Sequence, residues 1–207
     1  MITEGKYMND LENADITLIE NFFTIDEADY YFEKLEQDIE WKQEAMNMFG
    51  KQYQFARLTA WYGEPNKPYT FSGITLNPND WNSDIDIIKI RDKVNDACEE
   101  TFNSVLLNLY RDGNDHISWH SDNEKELGTN PTIASISLGC PRIFRIRRMD
   151  DHTIKRDIEL NHGSLLIMKG ETQHFWEHTV PPKSNKKLSL FDKSSLLKRI
   201  NLTFRVM

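Results

Sequence analysis

Polar and apolar side chains alternate strictly along residues 199–206, close to the end of the 207-residue chain. The odd positions are polar and the even positions are apolar, a period of two that fits a β-strand and not a helix. One face would therefore pack in a core, while the other would carry the guanidinium groups of Arg199 and Arg205. An ordinary amphipathic strand with a solvated outer face has the same pattern, so the alternation by itself assigns no function to the arginines.

Short β-type runs fill the second half of the chain, and turn signals such as Asp112-Gly113 separate them. The runs lie at 104–110, 116–121, 132–138, 142–148, 164–168, 172–180 and 199–206. The first half instead carries helix signals. Thr24 and Glu27 form a capping-box pattern ahead of a helix over about 25–39, and a second amphipathic stretch runs from near residue 83 to Cys98. Helices followed by many short strands predict an α+β fold whose strands close into a sandwich or small barrel.

Composition indicates a folded protein in a reducing compartment. Apolar residues make up 39% of the chain, enough to bury a sizeable core. The two cysteines, Cys98 and Cys140, form no Cys-x-x-Cys pair, which argues against a disulfide scaffold and against a thiolate zinc site. The chain shows no targeting signal and no apolar run of membrane-spanning length. We therefore expect a single domain over 1–207, located in the cytoplasm, or in the nucleus if the source is eukaryotic.

Charge is distributed unevenly, although the net charge is −8. Residues 1–100 hold 9 basic and 21 acidic side chains, whereas residues 101–207 hold 16 basic and 12 acidic ones. A positive C-terminal region is compatible with a nucleic-acid surface, although most charged runs are simply solvated. The candidate phosphate contacts are Arg142, Arg145, Arg147, Arg148, Lys183, Lys186 and Lys187, the last three in a predicted basic loop over 181–198.

Two histidines and one aspartate have the residue types of a 2-His-1-carboxylate metal site. His120 and Asp122 would share one face of an extended strand, and His178 lies in a later β-type run. Such a set holds an octahedral metal on one side and leaves three positions open, which favours Fe(II) and oxygen chemistry. His174 would share a face with His178 in an extended run. A zinc site of histidines alone is therefore a rival interpretation, and His174 could also be purely structural.

These residues occur in a characteristic order. Asn108-x-Tyr110, with both polar side chains on one strand face, comes first, and His120-x-Asp122, His178 and Arg199-x-Asn201-x-Thr203-x-Arg205 follow. The order resembles that of the AlkB-type Fe(II)/2-oxoglutarate dioxygenases, and most closely the branch that repairs alkylated nucleic acids. The resemblance extends from about residue 49 to residue 205 and includes the segments LTAWYG at 58–63 and YTFSG at 69–73.

The resemblance implies a double-stranded β-helix, or jelly roll, with supporting N-terminal helices. Residues 1–103 would provide those helices and a nucleotide-recognition segment, and residues 104–207 the catalytic core. The implied iron ligands are His120, Asp122 and His178. The implied 2-oxoglutarate contacts are Asn108, Tyr110, Arg199, Asn201, Thr203 and Arg205, with the two arginines pairing the two carboxylates.

The resemblance also implies substrate contacts. These are Phe49, Trp61, Tyr69, Phe71, Asn123 and Glu124. Phe71 would stack on an extruded base, and Glu124 would accept a hydrogen bond from its exocyclic amine. From pattern alone, the aromatic residues fit a packed core better than a binding surface. Asn123 stands where close relatives often have aspartate.

The implied reaction is oxidative demethylation of N-alkylated bases in DNA, with RNA as a second candidate, using Fe(II), 2-oxoglutarate and O2. Decarboxylation of 2-oxoglutarate to succinate would accompany release of formaldehyde. The partners expected are alkylated DNA or RNA and no membrane, and the protein is expected to be a monomer. Two alternatives stay open: a dioxygenase of the same fold that acts on RNA modifications or protein side chains, and a noncatalytic metal-binding jelly roll.

Overall fold

The computed structural model describes residues 5–8, 10–48, 51–65, 67–71, 73–183 and 197–207. The elements of the first half are β1 (Lys6–Tyr7), β2 (Asp15–Ile19), α1 (Ile25–Asp38), β3 (Ala45–Met48), β4 (Lys51–Gln54), β5 (Leu58–Gly63), β6 (Tyr69–Phe71), β7 (Ile74–Leu76), β8 (Asn79–Asp80) and α2 (Ile85–Cys98). Those of the second half are β9 (Ser104–Tyr110), β10 (Ile117–His120), β11 (Ile133–Gly139), β12 (Arg142–Arg148), β13 (Lys155–Leu160), β14 (Ser164–Lys169), α3 (Thr172–Phe175), β15 (Trp176–Val180) and β16 (Arg199–Arg205).

Two sheets face each other. The larger sheet has the strand order β1-β2-β14-β11-β16-β9-β5-β8, and the smaller has the order β10-β15-β12-β13. Neighbouring strands are antiparallel except for the parallel pair β5 and β8. Buried apolar residues from both sheets, including Leu166, Met168, Phe144 and Ile146, form the core between them. This arrangement confirms the predicted α+β jelly roll.

The helices α1 and α2 pack on the outer face of the larger sheet. Leu35 of α1 and Ile90 of α2 lie in one buried cluster with Ile200 and Leu202 of β16. The capping box predicted ahead of α1 is present, because the Glu27 N–H donates to Thr24 Oγ1 and the Thr24 N–H donates to Glu27 Oε2. Cys98 closes α2 inside this cluster, so its assignment as a core residue is confirmed.

The first half contributes more strands than the sequence predicted. β2 pairs with β14 and β5 pairs with β9, so both belong to the larger sheet.

In the second half, the sequence did not predict β13. This strand lies at an edge beside β12, and its first three residues are exposed and charged, which leaves little apolar pattern to detect. None of the helices in the described residues combines the length and apolar character needed to cross a bilayer.

The predicted strand over 172–180 is wrong in its first half. Residues Thr172–Phe175 form one helical turn, α3, and only Trp176–Val180 are extended. The turn buries Thr172, whose hydroxyl donates to the Lys169 carbonyl and accepts from the Asp15 N–H. These hydrogen bonds to β14 and β2 hold the turn. The contact with Asp15 joins residues 157 positions apart along the chain, so the local pattern could not reveal it.

Candidate metal and cosubstrate site

A cavity of about 570 Å³ opens between the two sheets. Its floor is formed by the inward face of the larger sheet, and its upper wall by β10, β15 and the segment after β10. It brings together nearly all of the polar residues selected from the sequence. From that set, the cavity is lined by Asn108, Tyr110, His120, Asp122, His178, Arg199, Asn201, Thr203 and Arg205.

The register of the larger sheet explains why the polar side chains meet. Across the β9–β16 pair, Tyr110 is opposite Arg199 and Asn108 is opposite Asn201. Because opposite residues project from the same face, both polar rows point into the cavity. All seven residues of β16 are buried, so the alternative of a solvated outer face is wrong for this strand. The smaller sheet covers the face that an isolated amphipathic strand would expose.

Arg199 is held at one end of this polar face. Its side chain is 1% exposed, its Nη2 donates to Ser137 Oγ over 2.9 Å, and its guanidinium lies 5.1 Å from the Tyr110 ring centre. The buried Nε and Nη1 atoms have no hydrogen-bond partner among the described residues. A buried cation with two unused donors fits a carboxylate ligand, which would satisfy both donors at once.

The predicted metal ligands converge at the other end. Ligand atoms of His120, Asp122 and His178 lie within 4.8 Å of one another. The two histidines are directly paired across β10 and β15, and Asp122 follows β10 by two residues. The Asp122 N–H donates to Gln173 Oε1 over 2.8 Å, which holds the segment in place. Two imidazole nitrogens and a carboxylate oxygen fit Fe(II) and leave room on the cavity side.

Neighbouring groups set the protonation state of the two histidines. Nδ1 of His120 lies 2.9 Å from the Ser118 carbonyl oxygen, which only accepts hydrogen bonds, so Nδ1 carries the proton and Nε2 is left as the ligand atom. His178 stacks on Phe144, with ring centres 4.8 Å apart. Burial lowers the pKa of His120, and burial and the neighbouring His120 lower the pKa of His178 to about 3. Both rings are therefore neutral near pH 7, the state that binds metal.

Asp122 is ionised by its surroundings. Burial alone would raise the pKa of Asp122, but Arg205 and the two imidazoles outweigh burial and bring that pKa to about 2. Arg205 Nη2 donates to Asp122 Oδ1 over 2.8 Å, whereas Arg205 Nε is buried without a partner among the described residues. Arg205 can thus contact a second acceptor beside the metal ligand.

The rival site made of histidines alone is wrong. His174 lies on the helical turn α3, is exposed, and bonds Asn130 Oδ1 through Nε2 over 2.9 Å. It therefore does not share a face with His178. Across the part of the chain that the structure describes, His120, Asp122 and His178 form the one cluster suited to holding a metal ion.

The candidate substrate residues divide into different environments. The Tyr69 hydroxyl donates to Glu124 Oε1 over 2.8 Å, and both residues line the cavity. Glu124 Oε2 is buried and has no hydrogen-bond partner in the part of the chain that the structure describes. Asn123 is exposed and lines the cavity. Trp61 stacks behind Tyr69, with ring centres 4.7 Å apart, and does not line the cavity. Phe71 lies in β6, but its side chain is outside the described part, as is Phe49.

The predicted basic surface is largely neutralised. Arg145 pairs with Asp157, Arg147 with Glu177 and Arg148 with Asp150. Arg142 is buried and donates to the carbonyl oxygens of Asp115 and Pro181, and Lys183 contacts Cys140. Lys186 and Lys187 lie in 184–196, outside the described residues. In the described residues, the basic run is therefore an ion-paired sheet face and a buried structural arginine rather than a set of free cations.

Sequence reasoning missed one buried cation of the cavity wall. Arg57 immediately precedes β5, is 6% exposed, and donates from Nε to Asn108 Oδ1 over 2.6 Å. Residues 57, 59 and 61 share the inward face of the sheet. Arg57 and Thr59 are polar but Trp61 is aromatic, so this face does not show the regular polar pattern seen in β16. The remaining signal, an arginine next to an apolar strand, is too common to indicate a site.

Comparison with known proteins agrees with this geometry. The model of the 2OG-Fe(II) oxygenase superfamily matches residues 15–205. The chain is 41% identical to alpha-ketoglutarate-dependent dioxygenase alkB homolog 3 of Homo sapiens, over 98% of this chain and 70% of that protein. It is 39% identical to the DNA oxidative demethylase ALKBH2 of Homo sapiens, over 86% of this chain and 68% of that protein.

A solved structure of OsALKBH1 shares the fold. It matches with a TM-score of 0.64 at 18% sequence identity, over 99% of this chain and all of that one. The matched family model spans the whole polar face and all three candidate ligands. The guanidinium donors of Arg199 and Arg205 that are unpaired among the described residues fit the carboxylates of 2-oxoglutarate. The cluster of two histidines and one aspartate fits Fe(II). The chain belongs to the 2OG-Fe(II) oxygenase superfamily, as an AlkB-type dioxygenase that uses Fe(II), 2-oxoglutarate and O2.

Proposed function

We propose that this enzyme removes methyl groups from N-alkylated bases of the 1-methyladenine and 3-methylcytosine type in DNA, with RNA as a second candidate substrate. One observation carries the proposal: the cavity that holds the proposed metal ligands and the two arginines also holds the Tyr69–Glu124 pair. One buried carboxylate oxygen of Glu124 is unpaired within the described ranges. The relatives named as alkB homolog 3 and as DNA oxidative demethylase support the substrate class.

In this proposal, each group of residues has a separate task. His120, Asp122 and His178 hold Fe(II). Arg199 and Arg205 bind the two carboxylates of 2-oxoglutarate, and Asn108, Tyr110, Asn201 and Thr203 complete its hydrogen bonds. Bound iron and 2-oxoglutarate supply the oxidant, which side chains alone cannot provide. The hydroxylated methyl group then leaves the base nitrogen as formaldehyde, and the cosubstrate leaves as succinate and carbon dioxide.

Glu124 gives the cavity a means of recognising the base. Adenine and cytosine carry an exocyclic amine, which can donate to the unpaired Oε2. Tyr69 occupies Oε1 and so fixes the direction of Oε2. Thymine and guanine present a carbonyl at the corresponding position, which would leave the carboxylate oxygen unpaired and repelled. Asn123 at the rim, with Phe71 and Phe49, are proposed as further substrate contacts.

We also propose that residues 1–207 act as one monomeric domain in the compartment that contains the nucleic acid. Residues 1–103 supply the outer helices and the nucleotide-recognition segment, and residues 104–207 supply the catalytic core. The outer cluster supports a single unit, because Leu35 and Ile87 of the first part pack with Ile136 and Leu202 of the second.

A formaldehyde-release assay tests the proposal. Single-stranded DNA, duplex DNA and RNA carrying 1-methyladenine or 3-methylcytosine would be incubated with Fe(II), 2-oxoglutarate and ascorbate, with unmethylated strands as controls. We expect formaldehyde from the methylated strands only, together with an equal amount of succinate above the background formed with unmethylated strands. No formaldehyde from any methylated strand, with substrate-independent succinate formation intact, would point to a dioxygenase acting on another substrate. Absence of both products would favour a noncatalytic jelly roll.

A further inference from the structure

Arg57 is a buried cation whose side chain donates a hydrogen bond to an amide group and not to a carboxylate. Its Nε donates to Asn108 Oδ1 over 2.6 Å, and its guanidinium lies 4.9 Å from the Phe55 ring centre. Among the described residues, no carboxylate lies within ion-pair distance of it. Burying a charge without a counterion is costly. This free-energy cost indicates that Arg57 has a role in the cavity that an apolar side chain could not fill.

A chain of hydrogen bonds leads from Arg57 across the floor of the cavity. Asn108 Nδ2 donates to Asn201 Oδ1 over 3.2 Å, and Asn201 Nδ2 donates to the Ile136 carbonyl oxygen over 3.0 Å. Asn201 Nδ2 also donates to Ser135 Oγ over 2.8 Å. The three strands β9, β16 and β11 are therefore linked through two side-chain amides.

The two ends of this chain determine the orientation of both amides. A guanidinium can only donate, so the oxygen of Asn108 must face Arg57. A backbone carbonyl can only accept, so the nitrogen of Asn201 must face Ile136. Each asparagine thus has one satisfactory orientation. With Arg57 removed, Asn108 Oδ1 would be buried without its donor, and only the hydrogen bond to Asn201 would hold the amide in this orientation. Asn201 Oδ1 also accepts from the Thr203 hydroxyl, so Asn201 would keep a donor if the Asn108 amide rotated.

The fixed orientation turns the nitrogen of Asn108 away from Arg57 and toward Asn201. Asn108 is 3% exposed and lines the cavity, and one of its two N–H groups bonds Asn201. Among the described residues, no protein acceptor takes the other N–H. We propose that Arg57 is a positioning residue for 2-oxoglutarate: it holds the Asn108 amide with its N–H group turned toward the cosubstrate.

This inference rests on the cosubstrate role proposed above for Asn108. It is tested by calorimetric titration of 2-oxoglutarate into the full chain loaded with Mn(II), a readout that does not depend on turnover. Arg57→Met should weaken 2-oxoglutarate binding about tenfold, because binding would force Asn108 Oδ1 to stay buried without a donor. Arg57→Lys keeps a donor-only group and should restore affinity to within about threefold of the unmodified protein.

A double-mutant cycle distinguishes positioning from direct contact. In an Asn108→Ala background, Arg57→Met should cause no further loss of affinity, because the group it orients is gone. An equal loss in both backgrounds would mean that Arg57 acts on the ligand directly and would overturn the proposal, as would unchanged binding in Arg57→Met. If Arg57→Met does not fold, Arg57→Gln replaces it: its amide can bond Asn108 from either side, so affinity should still fall.

The unmodified protein separates this inference from the proposed function. If Mn(II)-loaded unmodified chain does not bind 2-oxoglutarate, the cosubstrate site itself is wrong. If it binds and Arg57→Met binds equally well, only the role of Arg57 is wrong. Melting temperatures of the metal-free variants, expected to be close to that of the unmodified protein, would show that weaker binding is not a consequence of unfolding.

Discussion

Arg205 and Asp122 form a buried ion pair in which Arg205 Nη2 donates to Asp122 Oδ1 over 2.8 Å. Asp122 is a proposed metal ligand, and Arg205 lies on β16, the strand that carries Arg199, Asn201 and Thr203, which are proposed to bind the cosubstrate. One guanidinium therefore joins the two halves of the site and keeps the ligand carboxylate charged before metal arrives. Arg205 Nε remains unpaired among the described residues.

Replacing Asp122 should abolish turnover without unfolding the protein. Asp122→Ala removes a metal ligand and leaves Arg205 buried without its counterion, which should reduce the free energy of unfolding by about 3 kcal/mol. Asp122→Asn keeps an acceptor for Arg205 and should lose turnover with a smaller loss of stability. Urea denaturation and formaldehyde release measure the two effects. Turnover retained in both variants would show that another carboxylate completes the metal site.

The metal-free protein should lose stability as the pH falls below about 6.5. Burial and the neighbouring His120 lower the pKa of His178 to about 3, so below an unfolded-state pKa of about 6.5 the unfolded chain binds a proton that the folded chain does not. This lost stability should amount to several kcal/mol by pH 4. Asp122, with a folded pKa of about 2, adds its own loss only below about pH 4.

Urea midpoints measured in chelator between pH 7.5 and pH 4.5 check this dependence. His178→Gln cannot take up a proton, so its midpoints should vary less with pH than those of the unmodified protein. Equal slopes for the two proteins would show that His178 is not the group responsible.

Arg199→Met should stabilise the metal-free protein while removing cosubstrate binding. Arg199 is fully buried with two unpaired donors, so an apolar side chain of similar length should raise the free energy of unfolding by about 1–3 kcal/mol. The affinity for 2-oxoglutarate should fall by about 100-fold, because a carboxylate loses its charged partner. Calorimetry and urea denaturation give the two values. A destabilised variant with unchanged affinity would contradict the assignment.

Glu124→Gln should impair recognition of the base but not of the cosubstrate. The substitution replaces the carboxylate, whose Oε2 is unpaired among the described residues, by a neutral amide. The amide is a weaker acceptor for the amine of the base, so kcat/KM for 3-methylcytosine strands should fall about tenfold. The affinity for 2-oxoglutarate should stay unchanged. Tyr69→Phe is the companion variant, since it leaves Glu124 Oε1 without its donor and frees the carboxylate to rotate. Normal kinetics in both variants would remove the pair from substrate recognition.

The order of polar residues in the sequence was sufficient to select side chains that meet in one cavity. Asn108, His120, Asp122, His178 and Arg199 all reach one cavity, as the resemblance to the AlkB-type enzymes implied. Trp61 was selected on the same resemblance, yet it packs behind Tyr69. An aromatic residue in a strand fits a core and a binding face equally well, and only the neighbouring strands decide between them.

The local sequence determined which side chains of β16 lie on each face, because a period of two is a property of the extended backbone itself. Whether the face with Arg199 and Arg205 met bulk solvent or an enclosed cavity was decided by the smaller sheet, which covers it. His174 does not share a face with His178, because the helical turn that carries His174 is held in part by Asp15, which is distant along the chain. Arg57 and Asn108 meet only through the pairing of β5 with β9, a contact between residues 51 positions apart that no local pattern contains.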